Sequence, residues 1–318
     1  MVAIIWLFAL RAAAFAGPRA VEAIGMTVDD MDRSLKFYTE VLPFERVSDV
    51  EVASRDYEKL EAVFGLRMRV VTLKLGAEFL VLTDFLTPRG KPYPYDTRAN
   101  DRWFQHIAIV VSDMDRAYAH LRKHHVEHAS TGPQTLPASN KAAAGIRAFY
   151  FRDPDGHFLE LIQFPPGKGD PRWQQGGGKL FLGIDHTAIT VANTDASLGF
   201  YRDALGLRLA GRSENLGDEQ EHLNNVEGAH LRITSLRGAS GPGVELLEYL
   251  APRDGRPTPG DMRANDLAFW RTIMNGPIPP ALERSGLHEV ATPDRKLGFG
   301  GAAFARDPDG HAVELIEP

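Results

Sequence analysis

A glutamate recurs at a fixed place in this chain, on the predicted strand that follows a tight turn. The sequence Asp-Pro-Asp-Gly-His occurs at 153–157 and at 307–311, and an apolar stretch with one glutamate, Glu160 or Glu314, follows each copy. Proline sets φ early in such a turn, and glycine accepts a backbone conformation that other residues resist. A repeated carboxylate of this kind suggests a metal. Because the chain contains no cysteine, histidine, aspartate and glutamate would have to bind it.

The composition indicates the class of protein. A length of 318 residues favours two domains, and 43% hydrophobic and 25% charged residues are typical of a globular protein. The formal net charge of -6, without a basic block, argues against nucleic acid as a partner.

The first residues are typical of a targeting segment. The apolar run from Val2 to Leu10 is too short to span a bilayer, so no membrane span is predicted. Ala14-Phe-Ala16 after it has the small-x-small form of a cleavage site, although Arg11 interrupts the stretch. We therefore expect residues 1–16 to be a signal peptide and the protein to be periplasmic or secreted, with a cytoplasmic protein as the alternative.

The two halves of the chain repeat one another. A segment that ends in Phe37-Tyr38 recurs with an offset of 163, and the sequence Arg-Ala-Asn-Asp recurs with an offset of 165. A stretch rich in glycine and proline separates the halves, as expected of a linker. The predicted organisation is a first domain at 21–164, a linker at 165–180 and a second domain at 181–318.

A shorter repeat lies within each half. The segment 23–32 matches 106–115 with an offset of 83, so the chain contains four copies of one module of roughly 70–85 residues. Each module begins with an alternating apolar strand, continues with an amphipathic helix and ends with further strands. The predicted pattern is βαβββ, four times.

This pattern resembles a known superfamily. The four βαβββ modules, the helices that contain Phe-Tyr and the Asp-Pro-Asp-Gly-His…Glu-Leu ending are similar to the vicinal oxygen chelate superfamily, from about residue 21 to 318. That superfamily includes glyoxalase I, methylmalonyl-CoA epimerase, bleomycin resistance proteins and extradiol dioxygenases. The resemblance implies an α+β fold of tandem glyoxalase-like domains, with modules joined into half-barrels with mixed sheets. It does not fix the reaction, because one scaffold hosts unrelated chemistries.

The resemblance also implies where metal ligands lie. In such proteins each module offers one residue at the start of its first strand and one on its last strand. Module one offers Ala23 and Val81. Module four offers Glu314 and Arg271, or Trp270 in place of Arg271 if the register slips by one. Only modules two and three together supply a complete set of four metal ligands, namely His106, Glu160, His186 and Glu245.

The choice of ligands depends on how the modules pair. An intact site requires modules two and three to pair across the two halves, which leaves a degenerate site in modules one and four. In that degenerate site we expect Glu314 to pair with Arg271. The alternative is pairing within each half. Within module three, a slipped register would replace Glu245 by Glu248, although Glu248 is expected on the opposite face of its strand.

The expected ligands imply a reaction class. Two imidazoles and two carboxylates suit one divalent ion such as Zn, Ni, Mn, Co or Fe. A substrate with vicinal oxygens would chelate the ion, which would stabilise an enediolate after proton loss. By resemblance, Glu245 or Glu160 would be the catalytic base of a glyoxalase-like lyase or isomerase. The alternatives are an Fe(II)-dependent ring-cleaving or other dioxygenase, and a non-catalytic binding protein of the bleomycin-resistance type.

Matching loops in the two halves carry arginines that could contact substrate. Arg98, Arg253 and Arg263 lie in or next to these loops and are predicted to hold an anionic group of a small-molecule substrate. The fused halves supply an internal pairing that single-domain relatives obtain by dimerisation. The chain is therefore expected to be a monomer or a homodimer.

Overall fold

The computed structural model describes residues 19–317, so the predicted signal peptide at 1–16 lies outside the described residues. Each module contributes one strand, a helix and three further strands, which confirms the βαβββ pattern, and modules one and three add a short second helix after their second strand. Among the described residues, no helix has the length and apolar character needed to cross a membrane.

The elements of modules one and two are β1 Val21–Val28, α1 Met31–Lys36, β2 Glu45–Val52, α2 Arg55–Glu61, β3 Arg67–Leu75, β4 Glu78–Thr87, β5 Gln105–Val111, α3 Met114–Lys123, β6 Gln134–Thr135, β7 Arg147–Arg152 and β8 Phe158–Gln163. Those of modules three and four are β9 Phe181–Thr190, α4 Thr194–Leu198, β10 Arg208–Asn215, α5 Asp218–Asn224, β11 His230–Arg237, β12 Gly243–Ala251, β13 Trp270–Asn275, α6 Pro280–Arg284, β14 Val290–Ala291, β15 Gly301–Arg306 and β16 Ala312–Glu317.

The strands form two curled, mixed sheets of eight strands each, and each sheet takes strands from both halves of the chain. One sheet, here called the inner-module sheet, has the order β10-β11-β12-β9-β5-β8-β7-β6 and combines modules two and three. The other, the outer-module sheet, has the order β14-β15-β16-β13-β1-β4-β3-β2 and combines modules one and four. The predicted pairing across the halves is therefore confirmed, and the alternative of pairing within each half is wrong.

Strand β5 shows how the sequence positions the inner-module sheet. All seven of its residues are buried, as expected of a central strand covered on both faces. Ile107, Ile109 and Val111 pack in the main hydrophobic core with the helices. His106 precedes this series by one residue and so lies on the other face of the strand, which lines a cavity.

The repeated turn links the two sheets. Asp153 accepts hydrogen bonds from two backbone N–H groups of its own turn, and Gly156 has a φ of +93° that favours glycine. The Tyr38 hydroxyl of module one donates to Asp153 Oδ2 at 3.0 Å, as does His157 Nδ1 at 2.9 Å. His157 Nε2 bonds the carbonyl of Leu267, before module four, at 2.7 Å. The second copy repeats the buried Tyr–Asp–His arrangement with Tyr201, Asp307 and His311.

This turn predicts a pH dependence of stability. Burial lowers the pKa of His157, but the charge of Asp153 and the hydrogen bond to it outweigh burial, and Asp155 adds to them, so the pKa lies above 6.5. Tyr93, which packs on the ring, stays neutral. Protonated His157 therefore stabilises the fold fully at pH values below its pKa in the unfolded chain. This stabilisation is lost as pH rises through the pKa of His157 in the folded protein. We expect the melting temperature of His157→Gln to lie furthest below wild type near pH 6 and the gap to narrow towards alkaline pH. A gap that stays constant with pH would contradict this. His230→Gln, which replaces a partly exposed histidine by the same residue, is the control for the substitution itself.

Candidate metal centre

Four neighbouring strands of the inner-module sheet, β8, β5, β9 and β12, each bring one predicted ligand to the same cavity. In strand order the ligands are Glu160, His106, His186 and Glu245. Across the antiparallel pair of β5 and β9, His106 lies opposite Ala188, and Glu245 lies beside Ala188 on the parallel strand β12. The pairing of modules two and three therefore brings together residues that are far apart in the sequence.

The side chains converge closely. His106 Nε2 lies 3.1 Å from Glu160 Oε2, and His186 Nε2 lies 3.5 Å from the same oxygen. His186 Nε2 also lies 3.4 Å from Glu245 Oε2. Both imidazoles and Glu160 are buried, whereas the Glu245 side chain is 21% exposed. All four side chains line a cavity of about 860 Å³. Glu245 is the most accessible of the four.

The donor set fits a divalent cation. Burial raises the pKa of Glu160, but hydrogen bonds to His106 and His186 outweigh burial and place the pKa below its ordinary value. Burial lowers the pKa of His186, but the charge of Glu245 and the hydrogen bond to Asp185 raise it to about 10. Without a cation, the carboxylates therefore hold a proton on His186. A divalent ion with a preference for nitrogen and oxygen donors would take the place of that proton.

Glu248 does not belong to this cluster. It lies three residues after Glu245 on β12 and points to the other face of the sheet. There it accepts a hydrogen bond from the backbone N–H of Thr194 at 3.1 Å and pairs with Arg232 at 3.2 Å. The register with Glu245 in the cavity is therefore the one that the structure has.

The three arginines predicted to bind substrate lie outside the cavity. All three are exposed, and none is among the residues that line it. Arg98 pairs with Asp254 at 2.9 Å, and Arg253 donates to the carbonyl of Leu250 at 3.1 Å. Arg263 lies in the loop that contacts the matching loop of the first half. The two matching loops pack against each other and do not line the cavity.

Other cations line the cavity, and sequence reasoning missed them. They are Arg172 in the linker, Arg212 on β10 and Arg237 on β11. Arg237 donates to Asp185 at 2.6 Å, and Arg172 donates to Glu78. The sequence contained one indication of these arginines. Asp185, a carboxylate that an arginine could pair with, directly precedes the predicted ligand His186.

The outer-module sheet holds an ion cluster in the equivalent place. Arg271 stands where the other sheet has His106, which fixes the register that the sequence left open. Its Nη1 lies 3.4 Å from Glu314 Oε2, as predicted, and 2.8 Å from Glu61 Oε1 of α2, which was not predicted. All three residues are buried, and burial raises the pKa of Glu314 to about 7. A guanidinium here neutralises carboxylates in place of a metal ion.

Gly25 makes room for Arg271. The two residues lie opposite each other on β1 and β13, and a Cβ at Gly25 would lie 2.5 Å from Arg271 Cγ. We expect Gly25→Ala to lower the free energy of unfolding by about 1–3 kcal/mol, because neither side can move away. Gly199→Ala is the control, since a Cβ there meets no atom within 4 Å. Urea denaturation of both variants checks this, and equal stabilities would contradict it.

Known proteins resemble this chain in sequence and in fold. The model of the Glyoxalase/Bleomycin resistance protein/Dioxygenase superfamily matches residues 20–161 and 183–315. A 2-epi-5-epi-valiolone epimerase of Actinomyces is 33% identical over 156 residues, which are 48% of this chain and 82% of that protein. A lactoylglutathione lyase of Arabidopsis thaliana is 27% identical over 188 residues, 59% of this chain and 54% of that protein.

The fold is similar to that of glyoxalase I from Zea mays. The TM-score is 0.62 at 18% identity, and the match covers 94% of this chain and 92% of the maize chain. At this identity the comparison supports the fold alone. Together with the family model, which matches both halves, it shows that the chain belongs to the Glyoxalase/Bleomycin resistance protein/Dioxygenase superfamily.

Proposed function

We propose that the protein is an enzyme that uses one divalent metal ion, held by His106, Glu160, His186 and Glu245, in a glyoxalase-like lyase or isomerase reaction. The observation that carries the proposal is the convergence of these four side chains, from four adjacent strands, on one cavity. When bound, the ion supplies Lewis-acid stabilisation of the negative charge that forms on a substrate oxygen. The substrate class is a small molecule with oxygens on neighbouring carbons.

Glu245 is the better placed of the two glutamates to act as the base. Glu160 Oε2 lies against both imidazoles and is buried, so it is held as a fixed ligand. Glu245 contacts only His186 among the proposed ligands, is partly exposed to the cavity and accepts a hydrogen bond from Ser235 Oγ. In the proposed step a substrate C–H bond breaks and its proton passes to the Glu245 carboxylate. The electron pair of that bond is taken up by the adjacent carbonyl, and Glu245 returns the proton to carbon.

The cavity walls fit a substrate of mixed polarity. Leu223, Leu231 and Leu247 give the cavity apolar lining. Arg172 and Arg212 line the same cavity. Arg212 is exposed and has no ion-pair partner among residues 19–317. This combination favours a substrate with an apolar part and an anionic or strongly polar end.

The role of Glu245 gives the test of this function. We expect Glu245→Gln to retain the fold and to lose about 100-fold to 10,000-fold in the rate of proton exchange, the usual effect of removing a general base. The metal-loaded protein is incubated in D₂O with the methylglyoxal–glutathione hemithioacetal and with 2-epi-5-epi-valiolone, and deuterium uptake at carbon is followed by NMR. Glu248→Gln is the matched control, because Glu248 is a buried glutamate of the same strand that faces away from the cavity.

Two results would contradict the proposal. If wild-type protein reconstituted with Zn, Ni, Mn, Co or Fe(II) holds no metal, the metal-dependent reaction is wrong and a binding protein of the bleomycin-resistance type remains. If Glu245→Gln exchanges protons as fast as wild type, Glu245 is not the base.

One observation favours a second candidate, an Fe(II)-dependent dioxygenase. The ligand atoms of His106, Glu160 and His186 lie within 4.8 Å of one another, and two histidines with one carboxylate are the ligand set of non-haem Fe(II) oxygenases. Glu245 distinguishes the two functions, because a fourth ligand leaves fewer positions for oxygen. Oxygen consumption by the Fe(II) form with a catechol, retained in Glu245→Gln, would favour the dioxygenase.

A further inference from the structure

The two candidate histidine ligands are held in different ways. His186 Nδ1 donates to Asp185 Oδ2 at 3.0 Å, which leaves Nε2 free to face Glu160 and Glu245. His106 Nδ1 is buried and has no hydrogen-bond partner among the described residues. The rings of Phe104 and Tyr150 pack against the ring of His106.

Asp185 is itself fixed from two further directions. The indole N–H of Trp173 donates to its Oδ1 at 2.8 Å. Arg237 donates to its Oδ2 and to its backbone carbonyl, each at 2.6 Å. Asp185 is 3% exposed. Its carboxylate can therefore turn only if buried hydrogen bonds are broken.

Trp173 belongs to the segment predicted to be only a linker. It lies in a 3-10 turn at Pro171–Gln174 and is buried. The guanidinium of Arg172 stacks over its ring, 3.9 Å from the centroid, and pairs with buried Glu78 of module one. Gly183 permits this close packing, because a Cβ there would lie 2.9 Å from the Trp173 ring and 2.3 Å from Glu78 Oε2. The linker therefore packs against Asp185, the residue that bonds the proposed ligand His186.

We propose that Asp185, held by Trp173 of the linker and by Arg237, positions His186 for metal binding. The linker therefore contributes to the geometry of the metal centre. The inference rests on the metal centre proposed above and assigns these three as positioning residues. A carboxylate that accepts from the far nitrogen of a ligating imidazole fixes its tautomer and orientation and makes it a stronger ligand. His106 has no such support, so the site depends on His186 for its orientation.

The test compares two tryptophans. Trp173→Phe keeps the aromatic packing and removes the N–H that Asp185 accepts. Trp103→Phe is the matched control, because Trp103 is equally buried, donates its N–H to Thr97 Oγ1 at 3.1 Å, packs under a guanidinium and does not line the cavity. Asp185→Asn is the second variant. The dissociation constant for Zn²⁺ is measured by competition with a chromophoric chelator, and the visible spectrum of the Co²⁺ form is recorded.

We expect Asp185→Asn to bind Zn²⁺ about 10-fold to 100-fold more weakly than wild type, as is usual when a partner of a ligating histidine is removed. Trp173→Phe should weaken binding in the same direction but by less, because Trp173 donates to Asp185 and not to His186 itself. Their Co²⁺ spectra should shift, while Trp103→Phe matches wild type in both measurements. Unchanged affinity and spectra in both test variants, with one equivalent of metal still bound, overturn this inference alone. Equal weakening in Trp103→Phe also overturns it, because the effect would then be one of general packing. Absence of metal binding in wild type overturns the proposed function and this inference with it.

Discussion

Replacing either His106 or His186 by alanine is expected to abolish binding of the proposed metal ion, although the two residues come from different halves of the chain. Each imidazole Nε2 lies within 3.5 Å of Glu160 Oε2, so both contact the same carboxylate. Loss of a partner that only supports a ligand costs 10-fold to 100-fold in metal affinity. Loss of a ligand itself should cost about 100-fold or more. Elemental analysis of purified and reconstituted variants measures the result.

His230→Ala is the control for these two variants. His230 lies in the same sheet and also contacts a glutamate, Glu214, but it does not line the cavity. This variant should retain one equivalent of metal. Metal that survives His106→Ala but not His186→Ala would show that His106 is not a ligand. Metal that survives both substitutions would place the ion elsewhere in the protein.

The repeats in the sequence carried most of what could be predicted about the metal centre. His106 and His186 open equivalent strands, and Glu160 and Glu245 lie on equivalent last strands, so the ligand positions that the superfamily resemblance implies could be assigned in each repeat. The absence of ligands in module one then indicated that modules two and three must pair, as the sheet order confirms. These positions could be predicted because, in every module, successive residues of a strand point to opposite faces of the sheet.

The residues that were missed depend on contacts between modules. Glu61 reaches Arg271 only because α2 of module one packs over a sheet that also contains module four. Trp173 lies in a stretch of glycine and proline whose composition is typical of a flexible linker. Arg98 was predicted to contact substrate, but it does not line the cavity and pairs with Asp254 of the other half. In each case the sequence shows the residue type but not its partner, which tertiary packing supplies.

The two sheets show two solutions to one electrostatic problem. Each has a glutamate on a buried last strand, Glu160 or Glu314, next to a central strand. A buried carboxylate is costly unless a positive partner compensates it. In the inner-module sheet histidines face Glu160 and a metal ion can enter. In the outer-module sheet Arg271 supplies a permanent charge, so a second metal ion is not needed there.

Arg271→Met is therefore expected to destabilise the protein strongly without removing the metal ligands. The substitution leaves Glu61 and Glu314 buried with no cation, and breaking a buried ion pair in this way costs about 3–5 kcal/mol. Without Arg271, burial and the charge of Glu61 are no longer opposed, so the pKa of Glu314 in the folded state rises further above its ordinary value. Because this folded-state pKa lies above the unfolded one, the destabilisation should grow as pH rises from about 5 to 8. Urea denaturation of the metal-free protein across this range measures it.

Two further variants separate charge burial from other losses. Arg69→Met removes an arginine that also pairs with two carboxylates, Asp32 and Asp49, but is more exposed, so it should cost no more than about 1 kcal/mol. The triple variant Arg271→Met, Glu61→Gln and Glu314→Gln removes the charges together and should recover much of the loss, because no unpaired charge stays buried. If Arg271→Met is no less stable than Arg69→Met at about pH 8, the cluster does not hold the outer-module sheet together. If the triple variant is as unstable as Arg271→Met, packing of the arginine stem rather than its charge stabilises the sheet.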